Sequence, residues 1–468
     1  MLSKGLLFLW VLVVGVSTAF AQQPGADGIG DSLYPQMGNG GYDVQHYTLE
    51  VAVDVAANTI VGTAALEVVA TQDLSAFNLD FNPLTIDGIT VDGAAAEFSQ
   101  NGGELTITPV APLMNGSAFT VVVTYQGDPA KTALAADSSE VWRNDGKSIY
   151  AFEQPSAAWV WFPVNDHPLD KASYTFRITV EQPYQVFMNG LLEDKQENAD
   201  GTVTYVWQAE APMASYLVTL NIVQDFVTET AEGPNGLPIT NYMPAATADQ
   251  TSPAFARQSE MVAFFSDLFG AYPFESYGGL VVDFPIETAL ETQTLSVFDI
   301  SIVEDGEEGE STVAHELVHQ WFGDYLALAD WGDMWLNEGF ATYFEELWNV
   351  HAGTTVSMDA AAEDWYAILE YDLEEDGVNP PGKTTPDTLF DDGVYIWGGL
   401  TLYALQQEVG DEAFFDIIKT YAQEYGGKNV TTADFIGVAE QVSGEDLGDF
   451  FDLWLYSDTL PDMPGSDG

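Results

Sequence analysis

A chain of 468 residues with 46% hydrophobic content can bury more than one core, so two or three domains are expected rather than one. Eleven Lys and Arg against 73 Asp and Glu give a net charge of −62, which excludes nucleic acid and anionic membranes as partners that charge would favour. There is no cysteine, so disulfides, thiolate metal ligands and a cysteine nucleophile are excluded as well.

The first segment, residues 1–21, is Met-Leu-Ser-Lys, an apolar run from Leu6 to Val16, then Ser17, Thr18 and Ala19-Phe20-Ala21. This is the pattern of a cleavable signal peptide, because the run is shorter than the roughly 20 residues that span a bilayer. The expectation is a secreted protein, extracellular or periplasmic, with no membrane span after cleavage. Its acidic surface repels itself at low salt, so adaptation to a saline, cation-rich setting is one expectation and acid tolerance the other.

Residues 22–41 are rich in glycine without an apolar period, with Pro24, Gly25, Gly28, Gly30, Gly38, Gly40 and Gly41, and are expected to be a Gly-rich linker. From 42 to 230 the apolar period is two. Tyr47, Leu49, Val51 and Val53 alternate with other residues, as do Phe119, Val121, Val123 and Tyr125. Turn pairs such as Asp87-Gly88, Asn101-Gly102 and Asn189-Gly190 suit hairpins, so this half is expected to be a β domain.

Residues 231–457 change texture and are expected to be mostly helical. Ser252 and Pro253 mark a helix start, with Gly270 as its stop. Further helical patterns run over Val313 to Tyr325, Trp335 to Val350, Met358 to Tyr371, Leu400 to Val409, Phe414 to Tyr425 and Thr432 to Gln441. Acidic runs at Glu304 to Glu310 and Glu374 to Asp376 lack the spacing of a calcium loop and are expected to be solvated. Residues 458–468 read as a flexible tail.

His315-Glu316-Leu317-Val318-His319 sits inside one of the helical patterns. A spacing of four puts both imidazoles on one face, where they can share one zinc ion, while Glu316 can accept a proton from a water at that ion. A catalytic zinc needs a third protein ligand and one open position. Glu338, in Trp335-Leu336-Asn337-Glu338-Gly339-Phe340-Ala341, follows His319 after 18 intervening residues, which is room for the chain to turn and bring a second helix alongside. His46, His167 and His351 have no ligand spacing and are expected to be surface or hydrogen-bonded structural residues.

The segments His315-Glu316-Leu317-Val318-His319-Gln320-Trp321-Phe322-Gly323-Asp324 and Trp335 to Ala341 resemble the zinc aminopeptidase family of aminopeptidase N and leukotriene hydrolase, the gluzincin metallopeptidases. The resemblance implies an N-terminal antiparallel β-sandwich or saddle domain followed by a thermolysin-like, mainly helical zinc peptidase domain. It also implies further site residues. The family's Gly-Ala-Met-Glu-Asn segment, whose Glu binds a substrate's α-amino group, corresponds here to Thr288-Ala289-Leu290-Glu291-Thr292, which gives that role to Glu291. Counting back from Trp161-Phe162-Pro163 gives Gln154 as a second amine-binding position, or Glu153 if the count slips by one. Tyr395-Ile396-Trp397-Gly398 matches the family's Tyr-x-x-Gly pattern and gives Tyr395 the role of oxyanion stabiliser.

Few residues follow Gly398, so the large C-terminal helical domain of longer relatives is not expected and the cleft should be more open. The expected function is that of a zinc aminopeptidase with one zinc ion, acting on peptides with a free N-terminus. The alternatives are an endopeptidase or an epoxide or ester hydrolase on the same scaffold, or a non-catalytic binding protein. Oligomeric state is not readable from the sequence.

Overall fold

In the computed structural model, residues 22–464 are described apart from 132–140 and the single positions 153, 157, 284, 287, 305 and 376. The expected signal peptide, residues 1–21, and Glu153 lie outside the described residues. Among the described residues no helix is long and apolar enough to cross a membrane.

The period-two half folds into a twisted eight-stranded sheet. Its strands run, edge to edge, 191–197, 202–213, 172–181, 42–54, 59–70, 118–127, 85–91 and 94–95. Neighbours are antiparallel except at the centre, where Ala172–Glu181 lies parallel to Tyr42–Asp54. Alternation on these strands puts Val44, Tyr47, Leu49 and Val51 on a buried face with Tyr174, Phe176 and Ile178. The Tyr47 and Tyr174 rings stack there at 4.9 Å. Two four-stranded sheets cover this core, one built on Leu74–Asp80 and one on Ile149–Ala151 and Leu220–Val223.

The second half opens on a five-stranded mixed sheet of order 226–232, 238–244, 279–282, 296–299, 289–290. Phe226–Glu232 pairs antiparallel with Pro238–Pro244. The expected domain boundary at 230/231 therefore falls inside a strand, and pairing hands the chain over before Phe226.

This half also holds ten helices among the described residues: α1 (Ala248–Phe255), α2 (Gln258–Phe269), α3 (Ile300–Val303), α4 (Gly306–His319), α5 (Trp335–Ala352), α6 (Met358–Glu375), α7 (Ile396–Val409), α8 (Asp411–Tyr425), α9 (Thr432–Ser443) and α10 (Gly448–Tyr456). Pro253 was expected to start a helix but sits inside α1, which ends at Phe255 just beyond it. The pattern Val313 to Tyr325 was expected to be helical throughout, but α4 stops at His319 and the chain turns through Gly323, whose φ is +134°. A left-handed value of this kind suits glycine, and it lets Gly323 N–H donate to the Leu326 carbonyl at 3.0 Å.

The stretch 22–41 was expected to be a loose linker and is instead tied to both halves. The Asp31 carboxylate, 3% exposed, accepts from His167 Nε2 at 3.1 Å in the β domain and from Trp331 N at 2.8 Å in the helical domain. Ser32 N–H donates to Asp330 at 2.8 Å. In the expected tail, Leu460 and Met463 pack against the core.

Candidate metal centre

α4 turns Val313, Ala314, Leu317 and Val318 into the core, all of them fully buried, which leaves His315, Glu316 and His319 on the face toward a cleft. α5 is apolar on most sides, with Trp335, Leu336, Phe340, Phe344 and Trp348 buried, and it brings Glu338 to the same cleft. α5 and α7 cross through glycines: a Cβ added to Gly339 would stand 2.8 Å from the Gly398 carbonyl carbon. This close approach is what carries Tyr395, at the start of α7, to Glu338.

Three donor atoms form a triangle. His315 Nε2 lies 3.3 Å from Glu338 Oε2, His319 Nε2 lies 3.2 Å from the same oxygen, and the two imidazole nitrogens are 3.1 Å apart. Tetrahedral zinc with bonds of about 2.0–2.2 Å needs donors about 3.3–3.6 Å apart, and the observed separations lie within a few tenths of an ångström of that, so the set fits the ion. Among the described residues this is the one group of three His, Cys, Asp or Glu with ligand atoms mutually within 4.8 Å.

Both imidazoles are held from behind. His315 Nδ1 donates to Glu345 Oε2 at 2.9 Å, and His319 Nδ1 donates to the Phe322 carbonyl at 3.1 Å. Each bond fixes the tautomer that turns an Nε2 lone pair to the metal position. The stop of α4 at His319 is what folds the Phe322 carbonyl back to this nitrogen. Glu345 is itself braced by Ser311 Oγ at 2.6 Å, and Ser311 receives Asn349 Nδ2 at 2.7 Å, so the network spans α4 and α5.

The field at the triangle favours positive charge. Burial opposes protonation of His315, but Glu338 and Glu345 outweigh it and hold the imidazole well above its usual range. Burial is likewise outweighed by Glu338 at His319, which is raised to about 9. Glu316 is 5% exposed, and burial pushes its carboxyl up to about 8 against the pull of His315 and His319. A divalent cation beside Glu316 acts in the same direction as those imidazoles and favours the carboxylate.

The cleft holds about 610 Å³. Glu291 follows the edge strand Ala289–Leu290 into it and is 2% exposed. Gln154 Nε2 donates to Glu291 Oε1 at 2.9 Å, and Tyr216 OH donates to the same oxygen at 3.3 Å. Gln320, next to His319, donates to the Glu291 carbonyl at 2.9 Å. Tyr395 stacks on His315 at 6.1 Å, and burial together with the charge of Glu338 holds its phenol well above its usual range. Arg143 and Phe152 also line the cleft, with the guanidinium 4.7 Å from the ring centroid.

The structure thus gathers every expected site residue, namely His315, Glu316, His319, Glu338, Glu291, Gln154 and Tyr395, into one cleft. Sequence reasoning missed Glu345, Ser311 and Tyr216. Glu345 could have been sought seven residues after Glu338 on the same helical face, and Ser311 four before His315; Tyr216 carries no comparable signal.

The remaining histidines are bonded elsewhere. His46 contacts Ser173 Oγ at 2.7 Å, His167 contacts Asp31, and His351 lies 3.3 Å from Glu260 Oε1. Lys171 links the β domain to the end of the metal helix, donating to the carbonyls of Asp324 and Tyr325 at 3.5 and 3.1 Å. Burial pushes its ammonium down to about 8.

Residues 254–454 match the model of the peptidase family M1 domain, and residues 43–217 match that of the peptidase M1 N-terminal domain. Endoplasmic reticulum aminopeptidase 1 of Homo sapiens is 27% identical over 422 residues, covering 83% of this chain and 44% of its own length. Glutamyl aminopeptidase of Sus scrofa is 30% identical over 331 residues, covering 66% of this chain and 34% of its own length. The chain thus spans less than half the length of these two relatives. The crystal structure of an M1 zinc metallopeptidase from Deinococcus radiodurans superposes with a TM-score of 0.84 at 29% identity, over 94% of this chain and 99% of that one. A structure described as a two domain M1 zinc metallopeptidase mutant bound to L-arginine also superposes at 0.84, with 30% identity over 93% and 99% of the two chains.

Proposed function

This chain belongs to the M1 family of zinc metallopeptidases, and from that membership we propose that it is an aminopeptidase releasing N-terminal residues from peptides. The observation that carries the reading is a metal triangle and a buried amine-type anchor in one cleft: His315, His319 and Glu338 beside Glu291 with its Gln154 partner.

His315, His319 and Glu338 would hold the zinc ion. When bound, the ion supplies a Lewis acid for the scissile carbonyl and lowers the pKa of an attacking water. Glu316 accepts the proton of that water and returns it to the leaving amine. Burial holds the Tyr395 phenol well above its usual range, so it stays protonated and donates to the oxygen that gains charge as the carbonyl becomes tetrahedral.

Glu291 supplies negative charge for the substrate's α-ammonium, and the bonds from Gln154 and Tyr216 fix the carboxylate's orientation. A buried anion opposite a buried ammonium strongly favours a free amino terminus over an acylated one, because the acylated form leaves Glu291 without its counter-charge. Relatives that act as aminopeptidases support the same reading.

The test compares release from an amino-acid amide dipeptide with release from its N-acetyl form, with and without a zinc chelator. Chelator-sensitive cleavage of the free form alone is the expected result. Equal cleavage of both would make the protein an endopeptidase, and no cleavage of either would make it a binding protein.

A further inference from the structure

Four carboxylates line the metal cleft, those of Glu291, Glu316, Glu338 and Glu345, and Arg143 is the one Lys or Arg that lines it among the described residues. On a chain with 11 Lys and Arg against 73 Asp and Glu, a guanidinium at that place does not follow from composition.

Local structure aims this side chain. Arg143 is the middle residue of Trp142–Asn144, which pairs antiparallel with Ile149–Ala151. Neighbours on a strand point to opposite faces. Trp142 Nε1 and Asn144 Nδ2 both donate to Asn58 Oδ1, at 2.9 and 2.6 Å, so those two side chains are tied to the turn between Tyr42–Asp54 and Thr59–Ala70. Arg143 leaves the strand on the other face, where its guanidinium lies over the Phe152 ring at 4.7 Å from the centroid. Phe152 precedes Gln154 by two residues, and both line the cleft. The cation thus stands on the same wall as Gln154, whose amide donates to Glu291.

In an N-terminal residue the α-ammonium and the side chain leave the same carbon. An ammonium held at Glu291 therefore starts that side chain beside the wall of Phe152 and Arg143. A carboxylate there is repelled by the four glutamates and finds its counter-charge at Arg143. A guanidinium binds carboxylate through its N–H edge while its face rests on an aromatic ring, and its five donors can serve more than one acceptor. The stack on Phe152 sets the plane of the group before a substrate arrives.

We propose that Arg143 sets the substrate class of the cleft, selecting peptides whose first residue is glutamate or aspartate. The inference rests on the aminopeptidase reading, so its test includes a binding measurement that needs no turnover.

The assay is p-nitroaniline release by the zinc-loaded full chain from glutamyl, glutaminyl, aspartyl, asparaginyl and leucyl anilides, a leaving group without a carboxylate. In at least one acid–amide pair the acid is expected to be favoured about tenfold or more in kcat/KM, the worth of one charge-assisted bond. Arg143→Gln is expected to bring that ratio to within about twofold of one, and Arg143→Lys, which keeps the charge but not the fork, to leave it intermediate. The ratio does not depend on the fraction of enzyme that is folded, so a variant that folds poorly still reports. Calorimetric titration with the free amino acids is expected to show the same preference for acid over amide, lost in Arg143→Gln.

Leucyl turnover without preference for either acid over its amide overturns the proposal and keeps the aminopeptidase reading. Tighter binding of the free acid, lost in Arg143→Gln, with no turnover of any anilide overturns the aminopeptidase reading and keeps Arg143 as the reader of an acidic side chain. Equal binding of acid and amide, or a preference that Arg143→Gln leaves unchanged, overturns the proposal and leaves Arg143 a packing partner of Phe152.

Discussion

Replacing Glu345 by leucine removes the carboxylate that receives His315 Nδ1 at 2.9 Å and Ser311 Oγ at 2.6 Å, while keeping a side chain of similar length. Groups behind a metal-ligating histidine are worth about 10–100-fold in metal affinity or activity, or roughly 1.4–2.7 kcal/mol. The His315 side chain is 13% exposed and that of Glu345 25% exposed, so water can replace part of the lost bond. The expected loss is therefore in the lower half, about tenfold to thirtyfold in zinc affinity. Ser311→Ala leaves Glu345 in place and should cost about threefold or less. Competition against a chromophoric zinc chelator measures both variants on one scale. Activity of Glu345→Leu should recover in large part when zinc is raised to saturation, because the ligands themselves remain. Zinc affinity within about twofold of the unaltered protein would refute the claim that Glu345 orients His315.

Glu316→Gln is expected to keep zinc and lose about 10²–10⁴-fold in kcat, with metal content and turnover measured on the same preparation. Gly398→Ala places a methyl 2.9 Å from the Gly339 Cα, so it should force α5 and α7 apart, cost about 1–3 kcal/mol in thermal unfolding and lower kcat by moving Tyr395 from Glu338. Burial would raise the Asp31 carboxyl, but the bonds from His167, Trp331 and Tyr34 outweigh it and hold it below its usual value. Its folded pKa being depressed, its contribution is complete above the unfolded pKa and is lost as pH falls through the folded one. Asp31→Asn should therefore lower the melting temperature at pH near 7, and the difference from the unaltered protein should shrink on acidification below about 4. The net charge of −62 predicts a melting temperature that rises between low salt and about 1 M NaCl, and a flat profile would dismiss adaptation to salt.

The two candidate metal-binding histidines were legible because their spacing rests on a local rule. His315 and His319 are four residues apart on a helix, and only the helical period is needed to put them side by side. The β half was legible for the same reason, since the alternation of Tyr42–Asp54 and Ala172–Glu181 is a property of each strand by itself. Composition misled where long-range bonds outweigh it. Glycines made residues 22–41 look loose, yet one aspartate among them meets His167 and Trp331 from opposite halves of the chain.

What the amino-acid sequence determined by itself was the periodicity of each segment and the chemical type of its ligands, because backbone geometry within a helix or strand does not depend on what lies beyond it. Tertiary structure alone decided which distant groups meet. Gln154 and Glu291 are 137 positions apart, and Glu345 reaches His315 only because α4 and α5 pack in one register. Such meetings depend on how buried faces fit together, a property of two surfaces at once, which the spacing within either segment does not carry.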